Sequence, residues 1–186
     1  MEALVTAFVA AFLAEWGDKT QLVVAMLAAT TRKPGQVLIG LALAALASST
    51  IVSLAGVYIA AQVPIRAMTL MVALSLLFAA AAGLFGRRDP APATVRVPLL
   101  TAFILCLAAE LGDRTQFTTF ALAGRFDSAP LAAAGATAAI LAVCIPAAIL
   151  GDKLRATIPL RPIRYTVAAV FLIAGFIAAV KALQLA

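Results

Sequence analysis

Six apolar runs, at about residues 3–30, 36–61, 66–85, 99–124, 130–150 and 164–185, decide which solvent this chain can fold in. At 1.5 Å per helical residue, runs of this length match a hydrocarbon layer about 30 Å thick. The 186 residues are 65% hydrophobic and only 12% charged, against roughly 25% charged in an ordinary soluble domain. No soluble core can hide so much apolar surface. The connections between runs, "TTRKPG", "QVPIR", "GRRDPAPATVRVP", "GRFDSAP" and "GDKLRATIPLRPIR", carry the Pro, Gly and basic residues of helix ends and interfacial anchors. The expected fold is all-α, a six-span polytopic membrane protein in which residues 1–186 form one transmembrane domain.

The net charge of +6 does not mark a nucleic-acid partner. Once the runs lie in lipid, no basic face or aromatic-basic alternation survives to hold one. Histidine is absent, which excludes His-ligated zinc or haem. Cys106 and Cys144 fall within apolar runs, with no CxxC motif, and are expected to behave as small core hydrophobes. The opening "MEALVTAF" has an acid where a signal peptide carries bases, so it is expected to begin a retained first span.

A shift of 95 positions exposes a duplication. "AEWGDKTQ" at 14–21 returns as "AELGDRTQ" at 109–116, preceded by Thr6-Ala7-Phe8 and its match Thr101-Ala102-Phe103. "PIR" at 64–66 recurs at 162–164. Each half, 1–86 and 99–186, therefore contributes three spans, with the long third connection as the hinge. Because three is odd, the second half enters the bilayer from the opposite side. The expected arrangement is two inverted three-helix repeats. The connections on one side hold Arg32, Lys33, Arg87, Arg88, Arg96, Lys153, Arg155, Arg161 and Arg164, and the other side holds only Arg66, Arg125 and Lys181. Basic loops stay in the cytoplasm, so both termini are expected to be extracytoplasmic.

The duplicated word is the one part of the chain at odds with its surroundings. Glu15 and Asp18, and likewise Glu110 and Asp113, fall near the middle of the first and fourth spans. There a charged side chain costs at least about 2.5–3.5 kcal/mol. Half of the chain's eight acids sit in these two places. Glu15, Asp18 and Gln21 follow one helical face, as do Glu110, Asp113 and Gln116. Thr20 and Thr115 point away from that face by more than about 120° on a regular helix. Gly17 and Gly112 supply a place where each helix could break, freeing backbone carbonyls as further ligands. Inverted symmetry then brings four carboxylates and two amide oxygens together at the bilayer centre. Oxygen donors of high negative charge suit a hard divalent ion, Mn²⁺ or Ca²⁺. The structural alternative pairs Glu15 with Lys19 and Glu110 with Arg114 as i,i+4 salt bridges that lock the bundle, but it leaves Asp18 and Asp113 unaccounted for.

Four acids against two bases leave the site with a net charge of −2. One divalent ion neutralises it and so do two protons, which predicts exchange of 2 H⁺ for one M²⁺. No permanent cofactor is expected; the metal and protons are cargo. Of the other polar residues, Ser48, Ser49, Thr50 and Ser53 are expected to serve close helix packing. Trp16 is expected to pack beside the site, Pro146 to kink the fifth span, and Lys181 to snorkel.

"EWGDKT" and "ELGDRT" resemble the signature of a known family, Glu-x-Gly-Asp-(Lys/Arg)-(Thr/Ser) in two copies. That family comprises membrane cation exchangers, among them the Golgi calcium/manganese–proton antiporter and bacterial manganese exporters. The resemblance covers essentially the whole chain. It implies that Glu15, Asp18, Glu110 and Asp113 form the metal pathway; the reading of the residues themselves adds Gly17, Lys19, Thr20, Gln21, Gly112, Arg114, Thr115 and Gln116 as supporting groups. The resemblance further implies manganese efflux across a bacterial inner membrane, with calcium as the other candidate ion. A homo-oligomer is compatible with such a chain. Two other classes are weighed against this one. A small-metabolite or amino-acid exporter would have to bring a carboxylate into a strongly acidic pocket. A membrane-embedded enzyme, such as a lipid phosphatase, would lack histidine, a phosphate cradle and a nucleophile pair.

Overall fold

The computed structural model describes residues 1–85 and 95–183, without the side chains of Asp152 and Arg155. The centre of the expected hinge, with Arg87 and Arg88 and the boundary between the two expected halves, lies outside the described residues. All regular elements among the described residues are helical: α1 (Glu2–Glu15), α2 (Lys19–Thr31), α3 (Pro34–Ala60), α4 (Ile65–Leu84), α5 (Pro98–Glu110), α6 (Arg114–Arg125), α7 (Ala129–Leu150), a 3₁₀ turn (Gly151–Lys153), α8 (Leu154–Thr157) and α9 (Leu160–Leu183). Four of these, α3, α4, α7 and α9, are long and apolar enough to cross a membrane. The first and fourth expected spans are each divided into two half-helices, α1–α2 and α5–α6, with the break inside the duplicated word.

Small residues set how closely the helices approach. A Cβ on Gly40 would run into the Leu99 carbonyl and Ala102 of α5, and one on Gly135 would run into the Leu4 carbonyl of α1. These two contacts exchange when 95 is added to one partner and subtracted from the other. Gly56 and Gly124 likewise bring α3 against α6. Such small-residue crossings are how helices associate in lipid, where burial of apolar surface gives no net drive. Register along the contacts gives direction. Gly40 faces Leu99, Ser48 meets Gln116, and Gly56 faces Phe120, so α3 runs parallel to α5–α6. Gly135 faces Leu4 and Gly151 faces Ala29, so α7 runs parallel to α1–α2.

α4 and α9 form a separate antiparallel pair. Arg66 of α4 donates Nε–H to the Ala182 carbonyl at 2.6 Å, and Arg164 of α9 donates Nε–H to the Gly83 carbonyl at 2.8 Å. These arginines are the ends of the two "PIR" words, and each caps the far end of the other's helix.

One expectation needs correction. The stretch 151–164 is not a plain connection: it forms the 3₁₀ turn and α8, and α9 begins at Leu160, four residues early. Pro162 does not prevent this, because a proline in the first helical turn lacks only an N–H that would have no intrahelical acceptor. Pro146 lies inside α7, which runs on from Ala129 to Leu150 as one helix.

Candidate functional site

Each copy of the duplicated word folds as the same reverse turn between two half-helices. Trp16 has φ −64° and ψ 119°, Gly17 has φ 71°, and the Asp18 N–H donates to the Glu15 carbonyl at 3.1 Å. Leu111 has φ −60° and ψ 119°, Gly112 has φ 71°, and the Asp113 N–H donates to the Glu110 carbonyl at 3.1 Å. This is a type II turn, whose third residue needs a positive φ that glycine alone adopts without strain. The fourth residue, Asp18 or Asp113, then takes the position that starts the next half-helix. An acid there faces the positive end of the helix dipole.

The two turns lie against each other, and their side chains cross from one half to the other in reciprocal pairs. Thr20 donates its hydroxyl to Glu110 Oε1 at 2.8 Å, and Thr115 donates to Glu15 Oε1 at 2.5 Å. Lys19 Nζ donates to the Ala109 carbonyl at 3.0 Å, and Arg114 donates to the Ala14 carbonyl. Lys19 is ion-paired with Asp113 at 3.1 Å and Arg114 with Asp18 at 3.3 Å. Each cation thus covers the carbonyl end of the opposite half-helix, where backbone acceptors have no intrahelical donor. Glu15, Asp18, Glu110 and Asp113 are between 0% and 5% exposed. Glu15 lies within electrostatic range of the other three.

This geometry corrects two expectations. Lys19 and Arg114 do not close i,i+4 bridges within their own helices. The turn swings them towards the aspartates of the opposite half, and this accounts for the two acids that the sequence left over. The two glutamine amides also differ. Gln21 uses its carbonyl oxygen to accept the Gly17 N–H at 2.9 Å, which braces the first turn. Gln116 donates to Glu110 Oε2 at 2.8 Å and to Ser48 at 3.1 Å. Ser48 therefore reaches the site as well as packing, which the sequence signalled only as a hydroxyl on an apolar helix. Thr20 and Thr115, expected to point away on a regular helix, join the site because the helices break. Trp16 packs edge-on against Phe12, their centroids 6.0 Å apart. Cys106 and Cys144 are free thiols, buried within range of both glutamates.

Among the described residues, no three acidic, cysteine or histidine side chains converge tightly enough to hold one metal ion in this conformation. Ammonium, guanidinium, hydroxyl and amide groups stand beside the carboxylates. Glu15 Oε2 and Gln116 Oε1 are buried with no hydrogen-bond partner among the described residues.

The model of the divalent cation/proton antiporter GDT1 family matches residues 3–90 and 98–186. The chain belongs to this family. In this GDT1-family chain the two copies of the duplicated word are in direct contact. The chain is also 30% identical over 176 residues to a Vibrio cholerae serotype O1 protein named "Putative manganese exporter", covering 93% of this chain and 88% of that one. No solved structure matches. Family and apolar helices together make this an integral membrane protein of cation transport.

Proposed function

We propose that the chain exchanges one divalent cation, Mn²⁺ or Ca²⁺, for two protons at the meeting point of its two turns. The observation that carries this reading is the reciprocal crossing of the two motifs: four buried carboxylates drawn from both halves, with three of them within electrostatic range of the fourth, Glu15. On this reading Glu15, Asp18, Glu110 and Asp113 take the ion. The two threonines hold one oxygen of each glutamate in place; Glu15 Oε2 is then left to turn to the cation, and Glu110 Oε2 does so by giving up its bond from Gln116.

Electrostatics gives the mechanism. Lys19 and Arg114 neutralise two of the four acids, and a dication or two protons neutralise the rest. An entering dication is a stronger partner for the aspartates than a monovalent side chain, and it draws them off Lys19 and Arg114. All the donors are oxygens, the ligand type of hard cations. The reciprocal contacts, the parallel runs of α1 with α7 and of α3 with α5–α6, and the crossed arginines of α4 and α9 support six spans in two inverted repeats, 1–86 and 99–186. The asymmetry of basic residues supports a cytoplasmic face at the connections after α2 and α7. The name of the Vibrio cholerae relative favours manganese and outward transport.

Proteoliposomes with an internal pH dye and radioactive Mn²⁺ or Ca²⁺ outside test this directly. Metal entry should expel protons at about two per ion, as the net charge of the site requires. Glu15→Gln and Glu110→Gln should each reduce uptake to background. Metal uptake without proton movement would remove the coupling, and wild-type uptake by both variants would remove the glutamates from the path.

A further inference from the structure

The contacts between the two motifs survive an exchange of halves; those made by the α4–α9 pair do not. A methyl group on Gly17 would meet Leu160 Cβ and the Leu160 carbonyl, both at 3.7 Å, and Arg164 Cδ at 4.0 Å. The matching turn at Gly112 has nothing within 4 Å, although its backbone is the same. The Arg114 guanidinium reaches within 3.6 Å of a Cβ built on Gly83 of α4, and the Arg114 side chain is 1% exposed. Its counterpart Lys19 is 39% exposed. Two turns alike in sequence and in dihedral angles thus have different surroundings, and α4 and α9 make the difference.

The pair is also built to stay together. Besides the two arginine–carbonyl bonds, Gly83 packs on Ala168 and Gly175 on Leu77. It meets α1 beside the first turn, where Ala14, Ala79, Ala80, Val167 and Phe171 form one apolar cluster. Towards the start of α1 the contact gives way to an apolar groove of about 410 Å³, flanked by Val5 and Val9 on α1, Val72 and Leu76 on α4, and Val170 on α9. At the turn the pair is docked on α1; at the far end it stands off from α1, while Met68 of α4 stays buried against Gly124 of α6 and Thr69 accepts from Arg125 at 3.1 Å.

We propose that α4 and α9 move as a single unit past the motif-bearing bundle, and that this conformation is one of two, with Arg114 shut away and Lys19 reachable. In the other conformation the matching residues trade places: Gln62 and Arg66 cover Gly112, Lys19 is buried, and Arg114 becomes reachable. The Gly40 and Gly135 crossings persist in both, because they already satisfy the exchange. The inference rests on the transport reading, to which it gives the moving part.

Two thiol bridges in a Cys106→Ala, Cys144→Ala background test it. Leu13→Cys with Leu76→Cys joins α1 to α4 at the edge of the groove, where both residues line it. Phe8→Cys with Ala136→Cys joins α1 to α7 inside the bundle, where these residues share a cluster. A short reducible cross-linker on the first pair should cut Mn²⁺ uptake into proteoliposomes at least tenfold, with recovery on reduction. The metal-induced rise in melting temperature should persist in that bridged form. The second bridge should leave uptake within about twofold. Uptake lost in both bridged proteins, or in neither, overturns the moving unit. Absence of uptake from every unbridged form overturns the transport reading, and this one with it.

Discussion

Each letter of Glu-x-Gly-Asp-(Lys/Arg)-Thr has a separate physical task. Gly17 and Gly112 supply the positive φ, so Gly112→Ala should cost about 1–2 kcal/mol from backbone strain alone, since open space surrounds that turn. In detergent this should lower the melting temperature by roughly 2–8 °C. The two bases should differ more. Arg114 is buried against Asp18, and removing one partner of such a pair costs about 3–5 kcal/mol. Lys19 is partly exposed, where ion pairs contribute about 0–1 kcal/mol. Arg114→Ala should therefore lower thermal stability severely and Lys19→Ala mildly. The break was legible in the sequence because Gly17 and Gly112 each interrupt an acidic word in mid-span, and glycine weakens a helix. The partners of Lys19 and Arg114 were not. On an unbroken helix both lie one turn from a glutamate, and only the break redirects them across the interface. The same break moves Thr20 and Thr115 onto the carboxylates and spends the Gln21 oxygen on the backbone.

Among the elements, the helices crossed by glycine are the ones most sensitive to volume. Adding a methyl group at Gly135 pushes α7 off the Leu4 carbonyl, and Gly40→Ala pushes α3 off the Leu99 carbonyl. Backbone cannot yield as a side-chain tip does, so each substitution should cost at least the roughly 1–3 kcal/mol of an overpacked core. The two effects should be similar in thermal melts, because the contacts are reciprocal. Apolar length alone located α3, α4 and α7 to within about two residues. The start of α9 was obscured by Pro159, Pro162 and three arginines, which look like a connection. Nothing local reveals that Leu154 of α8 packs against Leu22 and Ala25 of α2; that order comes from tertiary packing.

At the scale of the whole molecule, a dication held by groups from both halves should bind the folded bundle and not the separated helices. Mn²⁺ or Ca²⁺ at about 100 times its dissociation constant should then add about 2.7 kcal/mol, visible as a raised melting temperature in detergent. Mg²⁺, which sheds its water reluctantly, should raise it far less. A metal-independent melt would count against a shared site. The duplication was plain in the residues, whereas the unequal surroundings of its two copies were not, since a repeat in sequence specifies equivalence and only packing breaks it. The crossed pairing also has a consequence for biosynthesis. Glu15 and Asp18 find Thr115 and Arg114 only after about 95 more residues have left the ribosome. At about 5–20 residues per second, the first helix pair waits roughly 5–20 s among lipids before Glu15 gains its bond from Thr115. Quality-control proteases would meet the nascent chain in that interval, so stalled synthesis before the second copy should leave a product that is cleared, not half a carrier.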